Sequence, residues 1–228
     1  MQAVLFDLDG TLIDTAPELA VALNQALQRA GLAAATPTQV RAWIGDGTRA
    51  LLAKAFAAGG APANDVAAQV DAAWPSFEYD YAQVCGQHST LYPGTRRMLE
   101  RIHGAGIALG LVTNKESEFA HRLLVRHDLS ACFDLLVCGD TLPVRKPDPA
   151  MLLHALHALQ CAPGDALFVG DSAIDVRTAR AAGMPVWAVT HGYGGPLRGA
   201  DAPDRFVDGF DELARALTTY RGLRVSIS

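Results

Sequence analysis

Several things are scarce in this 228-residue chain. It has four cysteines, Cys85, Cys132, Cys138 and Cys161, and no two of them form a Cys-x-x-Cys pair. That spacing argues against a zinc ribbon or a disulfide framework and suits reduced thiols in a cytoplasmic protein. No apolar run approaches the roughly 20 residues that a membrane-spanning helix needs. No basic stretch followed by an apolar one opens the chain, so no signal peptide is expected. Positive charge is also short. With 19 Lys and Arg against 24 Asp and Glu, the net charge is −5, which argues against nucleic acid or a membrane surface as partner. Half of the residues are hydrophobic and 19% are charged, enough to bury a sizeable core. The expectation is a soluble, cytoplasmic protein, monomeric or homodimeric, acting on a small molecule.

What the chain does have is concentrated near its start, in Val4-Leu5-Phe6-Asp7-Leu8-Asp9-Gly10-Thr11. Val4 to Phe6 reads as a short buried strand of the kind found inside a parallel sheet. Asp7 and Asp9 then fall at its carboxyl end, where open α/β sheets bind ligands. Carboxylates at alternate positions of an extended chain project to the same side. Two so close repel unless a cation or a shared proton intervenes. A hard divalent cation with oxygen ligands, Mg²⁺ foremost, would relieve that repulsion. A solvated Asp-Gly turn is the other reading.

Thr15-Ala16-Pro17-Glu18 has the capping-box pattern with proline in the first turn, which predicts a helix ending near Gly31. No strand pattern follows until after Val84. Helices are expected from Thr36, from Thr48 to Ala58 and from Ala63 to Tyr81. The last carries Trp74, Phe77 and Tyr81 on one face, with a kink or break at Pro75. From Tyr92 onward strands at 107–112, 134–138, 166–169 and 185–189 alternate with helices, with a short edge strand at 205–207 and a last helix from Phe210. That rhythm implies right-handed crossovers and helices on both faces of a parallel sheet. The expected class is α/β: a doubly wound, Rossmannoid core of residues 1–14 and 86–228, interrupted by an all-helical cap of residues 15–85.

Each core strand is followed by polar residues. Thr113-Asn114-Lys115 offers a hydroxyl and an amide near a helix start, suited to a phosphate oxygen or to an ordinary helix cap. Lys146, beside Pro147 and Pro149, has a restricted backbone that can aim its ammonium at a phosphate or a carboxylate cluster, or is a surface lysine. Gly170-Asp171-Ser172-Ala173-Ile174-Asp175 can cap a helix, or add a third carboxylate to a metal with Asp175 behind it.

Taken in order, Asp7-x-Asp9-x-Thr11, Thr113-Asn114, Lys146-Pro147 and Gly170-Asp171-Ser172-x-x-Asp175 resemble the haloacid dehalogenase superfamily over essentially the whole chain, and the helical insert resembles its C1 cap. Within it the phosphoglycolate phosphatases are the nearest resemblance, through Phe6 to Leu12, Trp43-Ile44-Gly45-Asp46-Gly47, Gly110 to Lys115 and Leu167 to Ser172. The resemblance implies that Asp7 is a nucleophile forming an aspartyl phosphate and Asp9 the general acid and base. It implies Mg²⁺ held by Asp7, the backbone carbonyl of Asp9, and Asp171, with Asp175 orienting that shell. Thr113, Asn114 and Lys146 would hold the phosphate. Hydrolysis of 2-phosphoglycolate is the first expectation. A phosphosugar such as N-acetylmuramic acid 6-phosphate, a phosphomutase on the same core, or a non-catalytic phospho-ligand binder are the alternatives. For substrate choice the candidates are Gly45, Gly47 and Arg49 in the cap, Arg49 being readable also as an exposed helix residue. Lys115 reads equally as a substrate contact or a surface lysine, and His88, near the return from cap to core, as a plain hinge residue or a satisfied histidine. His191-Gly192-Tyr193-Gly194-Gly195 reads as a loop without assignable chemistry.

Overall fold

The computed structural model describes residues 1–224. In chain order it begins with β1 (Ala3–Phe6), β2 (Ile13–Asp14) and four helices, α1 (Ala16–Arg29), α2 (Pro37–Trp43), α3 (Thr48–Ala58) and α4 (Val66–Val84). There follow β3 (Thr90–Leu91), α5 (Thr95–Gly104), β4 (Ala108–Val112), α6 (Ser117–Arg126), β5 (Leu135–Val137) and α7 (Ala150–Ala158). The chain continues through β6 (Ala166–Gly170), α8 (Ala173–Ala181), β7 (Val186–Val189), β8 (Arg205–Val207) and α9 (Phe210–Arg224). No helix among the described residues is long and apolar enough to cross a membrane.

Six strands form one parallel sheet in the order β5-β4-β1-β6-β7-β8. All four β1 residues are buried completely, because successive side chains point to opposite faces and both faces are covered. Val4 and Phe6 pack with Met98 and Leu99 of α5, Leu123 of α6 and Phe210 of α9. Ala3 and Leu5 pack with Leu152 and Leu156 of α7 and Val176 of α8. The chain leaves β1 for β4 and β5 on one side, then returns to β6, β7 and β8 on the other. That makes β1 the point where the strand order reverses and a ligand crevice forms. Phe6 lies level with Leu111 on one side and Val169 on the other. The three strands therefore deliver Asp7, Thr113 and Asp171 to one edge of the sheet.

Helices α1 to α4 bury an apolar cluster of their own, including Leu23, Val40, Leu52, Phe56 and Phe77. Tyr81 of α4 joins it to the sheet domain through Phe119 of α6, ring centroids 4.4 Å apart.

Pro75 does not divide α4, which runs unbroken from Val66 to Val84. Pro75 and Asp71, whose carbonyl loses its helical donor, are both exposed, so water can satisfy that carbonyl. The helix starts at Val66 rather than Ala63. β2 and β3, which pair antiparallel through Ile13–Leu91 and Asp14–Thr90, have no counterpart in the sequence pattern. Two-residue strands carry no periodic signal.

The capping box expected at Thr15-Ala16-Pro17-Glu18 does not form. Thr15 makes no side-chain cap bond and donates its hydroxyl to Asp9 Oδ1 at 2.5 Å instead. Glu18 is buried, accepting N–H bonds from Gly86 at 2.8 Å and Ser89 at 3.1 Å. The cap is long-range: the Tyr193 hydroxyl accepts from the backbone N–H groups of Thr15 (2.7 Å) and Ala16 (2.9 Å).

Candidate active site

Asp7 sits one residue beyond β1, its N–H donating to Val169 O at 2.9 Å. Its Oδ1 lies 2.9 Å from Lys146 Nζ, and the same ammonium lies 2.7 Å from Asp175 Oδ1. Lys146 is itself set in place by Asn114, whose amide accepts from Lys146 N at 2.8 Å and donates to Lys146 O at 2.9 Å. The Lys146–Pro147 peptide is cis. The surface-lysine reading of Lys146 is thereby excluded, since its side chain is 1% exposed.

Asp175 lies in the first turn of α8 and closes a capping box with Ser172. Its Oδ2 accepts from the N–H groups of Asp171 (3.2 Å) and Ser172 (3.1 Å) and from Ser172 Oγ (2.7 Å). With Oδ1 on Lys146, every described contact of this carboxylate goes to orienting its neighbours. Asp171 is held by Thr11 Oγ1 at 3.2 Å and by the N–H groups of Tyr193 (2.6 Å) and Gly194 (3.1 Å).

Oxygens of Asp7, Asp171 and Asp175 all lie within 4.8 Å of one another. Burial pushes the Asp7 carboxyl up to about 6, Lys146 pulling down and Asp175 adding to the rise. Burial likewise pushes Asp171 to about 7, with Asp175 and Asp7 contributing. Burial opposes the Lys146 ammonium, but Asp175 and Asp7 outweigh it and hold its pKa above the usual lysine value. Three buried carboxylates cluster about one ammonium that pairs with only two of them, Asp7 and Asp175, so carboxylates outnumber cations in the cluster. Hard oxygen donors in that arrangement fit a divalent cation such as Mg²⁺, and Asp7 and Asp171 have the free valence for it.

Asp9 is held apart from this cluster. Its Oδ2 lies 3.0 Å from Lys115 Nζ, and its Oδ1 accepts the Thr15 hydroxyl. Lys115 is buried, 1% exposed, and its ammonium lies 5.1 Å from the centre of the Tyr81 ring. Burial disfavours its charge, yet Asp9 and then Cys85 raise its pKa above the ordinary value.

A cavity opens over these groups. Asp7, Asp9, Thr113, Asn114 and Lys115 line it from the sheet edge, and Leu19, Ile44, Gly45, Gly47, Thr48 and Leu51 from the helical cap. Gly45 O accepts from Asn114 Nδ2 at 3.0 Å, tying the cap loop to the sheet edge. Gly47 has φ +93°, and a Cβ there would lie 2.7 Å from Arg145 Nη1 and 3.0 Å from Asn114 O. Only glycine lets the loop approach this closely.

A family model for haloacid dehalogenase-like hydrolases matches residues 4–189. The chain belongs to that family. Among its relatives, a phosphoglycolate phosphatase of Nitrosospira multiformis is 40% identical over 85% of both chains. One of Vibrio parahaemolyticus is 37% identical over 93% of this chain and 94% of its own. A crystal structure described as a predicted phosphoglycolate phosphatase from Haemophilus somnus superposes with a TM-score of 0.88 at 29% identity, covering 95% of this chain and 98% of that one.

Within this haloacid dehalogenase-like hydrolase, the structure sharpens three of the expected site residues. Arg49 is absent from the cavity: its guanidinium pairs with Asp71 and lies 5.0 Å from the Trp74 ring centre, on the exposed outside of the cap. The 3.6-residue turn decides this, because Thr48 and Leu51 occupy the inward face of α3. Asn114 lines the cavity, but its side-chain amide is spent on the Lys146 backbone and Gly45, so it positions other groups. Lys115 proves to be a buried partner of Asp9. Its one sequence signal was adjacency to Thr113-Asn114 at a strand end. The loop at His191–Gly195 carries the Tyr193 contacts to Asp171 and to α1, and no local pattern announced them. His88 is exposed and away from the cavity.

Proposed function

We propose that the chain hydrolyses 2-phosphoglycolate to glycolate and inorganic phosphate in a Mg²⁺-dependent reaction. The observation that carries this reading is the division of labour between two carboxylates of one short loop. Asp7 is fixed by Lys146, and Asp9 is fixed separately by Lys115 and Thr15, and both carboxylates line one cavity. Relatives that share 37–40% of their residues with this chain and bear the name phosphoglycolate phosphatase support the substrate.

In this reading an Asp7 oxygen attacks phosphorus, the ester P–O bond breaks, and an aspartyl phosphate forms. Asp9 gives a proton to the departing glycolate oxygen and then takes one from the water that cleaves the intermediate. Lys146 holds Asp7 in line and offsets charge on the transferring oxygens, with Thr113 as a further phosphate contact. Asp7, Asp171 and the Asp9 carbonyl would hold Mg²⁺, which supplies charge neutralisation for a phosphate entering among carboxylates. Asp175 keeps Asp171 and Lys146 in register. Residues 1–14 and 86–228 serve as the catalytic domain and 15–85 as the cap, and four unpaired cysteines suit a reducing, cytoplasmic setting.

The test is phosphate release from a panel of monoesters by purified protein with Mg²⁺ and with EDTA. We expect 2-phosphoglycolate to lead the panel and EDTA to abolish turnover. Preference for a hexose phosphate or N-acetylmuramic acid 6-phosphate would overturn the substrate, and activity untouched by EDTA the metal.

A further inference from the structure

The mechanism above leaves one buried ammonium without a task of its own. Lys115 is the one cation among the described residues lining the cavity. The other basic groups nearby are committed elsewhere. Arg49 pairs with Asp71 outside, Arg41 with Asp14, and Lys54 with Asp46. Arg145 donates to Gly139 O and Glu116. An ammonium has three N–H donors, and Asp9 takes one of Lys115's. Burying a lysine is costly unless its charge has partners. A group retained only as counter-ion to Asp9 has no need to line the space where substrate enters.

Asp9 acts on the ester oxygen in the proposed reaction, so that oxygen comes within hydrogen-bond reach of the Asp9 carboxyl. Lys115 Nζ stands 3.0 Å from the same carboxyl. In 2-phosphoglycolate the carboxylate carbon is two bonds from the ester oxygen, which puts the acid group beside Lys115. On the cap side Leu19, Ile44 and Leu51 are apolar, and Gly45, Gly47 and Thr48 bring no charge, so among the described residues Lys115 is the one cationic group facing an anion there. The geometry points to Lys115 as the specificity residue that binds the carboxylate of the leaving group. The substrate class is then phosphate monoesters whose alcohol carries an acid group on the ester carbon itself. This rests on the phosphatase reading above and deepens it. Recognition of the leaving group comes from the sheet edge, next to the residue that protonates it, and the cap contributes shape.

The experiment compares kcat/KM for 2-phosphoglycolate and for ethyl phosphate, which has a methyl in place of the carboxylate, using full-length enzyme with Mg²⁺. Wild type is expected to prefer phosphoglycolate by about 100-fold, since a buried polar group left unpaired penalises the neutral analogue. Lys115→Met is expected to cut that preference to about 5-fold or less, mainly through KM for phosphoglycolate, and Lys115→Arg to restore part of it. Equal losses for both esters in Lys115→Met would show that Lys115 acts only through Asp9 and would overturn the proposal. Should Lys115→Met not fold by circular dichroism, wild type and Lys115→Arg still decide. A wild type that cleaves phosphoglycolate no better than ethyl phosphate overturns carboxylate recognition and leaves the phosphatase reading standing. A wild type that cleaves neither overturns both.

Discussion

The two walls of the cavity differ in chemical character. Every ionisable group in it comes from the sheet edge, namely Asp7, Asp9 and Lys115, while the cap side offers Leu19, Ile44, Leu51, two glycines and Thr48. The sheet edge can bury charge because three strand ends and a capping box bring partners for each group to within hydrogen-bond distance. The cap buries apolar surface because its helices face the sheet with the side that also forms its own core. Charge needs fixed partners in a low dielectric, whereas apolar contact needs only area. The sheet-edge wall therefore carries the charged groups, and the cap wall carries the apolar surface.

The largest effect that would sharpen this division is on the sheet side. Asp7→Asn keeps shape and removes the proposed nucleophile, and we expect phosphate release to fall at least about 1,000-fold. Comparable loss in a cap-wall variant would break the comparison. Lys146→Met should be next. It leaves Asp7 and Asp175 buried without their ammonium, and breaking a buried pair from one side costs about 3–5 kcal/mol, readable by denaturant unfolding.

The paired carboxyls also set a pH dependence. Their pKa values are raised in the folded protein, from 3.8 to about 6 for Asp7 and about 7 for Asp171. Between those limits the folded state binds more protons than the unfolded chain. Their contribution to metal-free stability is present below 3.8 and is lost as pH rises through about 6 and about 7. Mg²⁺ held by these carboxylates as proposed would bind their ionised forms and reverse this. Saturating Mg²⁺ should raise the Tm by about 5 °C at pH 8 and by much less at pH 5. An equal rise at both would contradict the assignment of Asp7 and Asp171 as ligands.

Effects on the cap side should be smaller and should fall on selectivity. Ile44→Ala opens the apolar wall, and we expect bulkier phosphate esters to gain about ten-fold in kcat/KM relative to phosphoglycolate. Arg49→Ala removes only an exposed ion pair, and activity should stay within about two-fold. A ten-fold loss there would return Arg49 to the substrate.

Much of this was legible in the sequence because a parallel sheet converts order along the chain into position in space. Asp7, Thr113, Lys146 and Asp171 each follow a strand, and parallel strands end on the same edge, so their meeting follows from the pattern. The helical insert was legible from periodicity and from the absence of any strand pattern before Val84. β2 and β3 were not, being too short to show a period. Nor was the true cap of α1, because Tyr193 reaches it from 178 residues away.

The sequence by itself thus determined the α/β class, the edge at which the chemistry collects, and the carboxylates that collect there, since these depend on local periodicity and strand polarity. Tertiary structure alone decided which cation serves which carboxylate. Lys146 joins Asp7 to Asp175, Lys115 goes to Asp9, and Arg49 turns outward to Asp71. Those pairings depend on which buried side chains meet across separate elements and on which face of α3 turns inward. Because an unpaired charge in the interior is so costly, packing leaves each lysine only one place to stand.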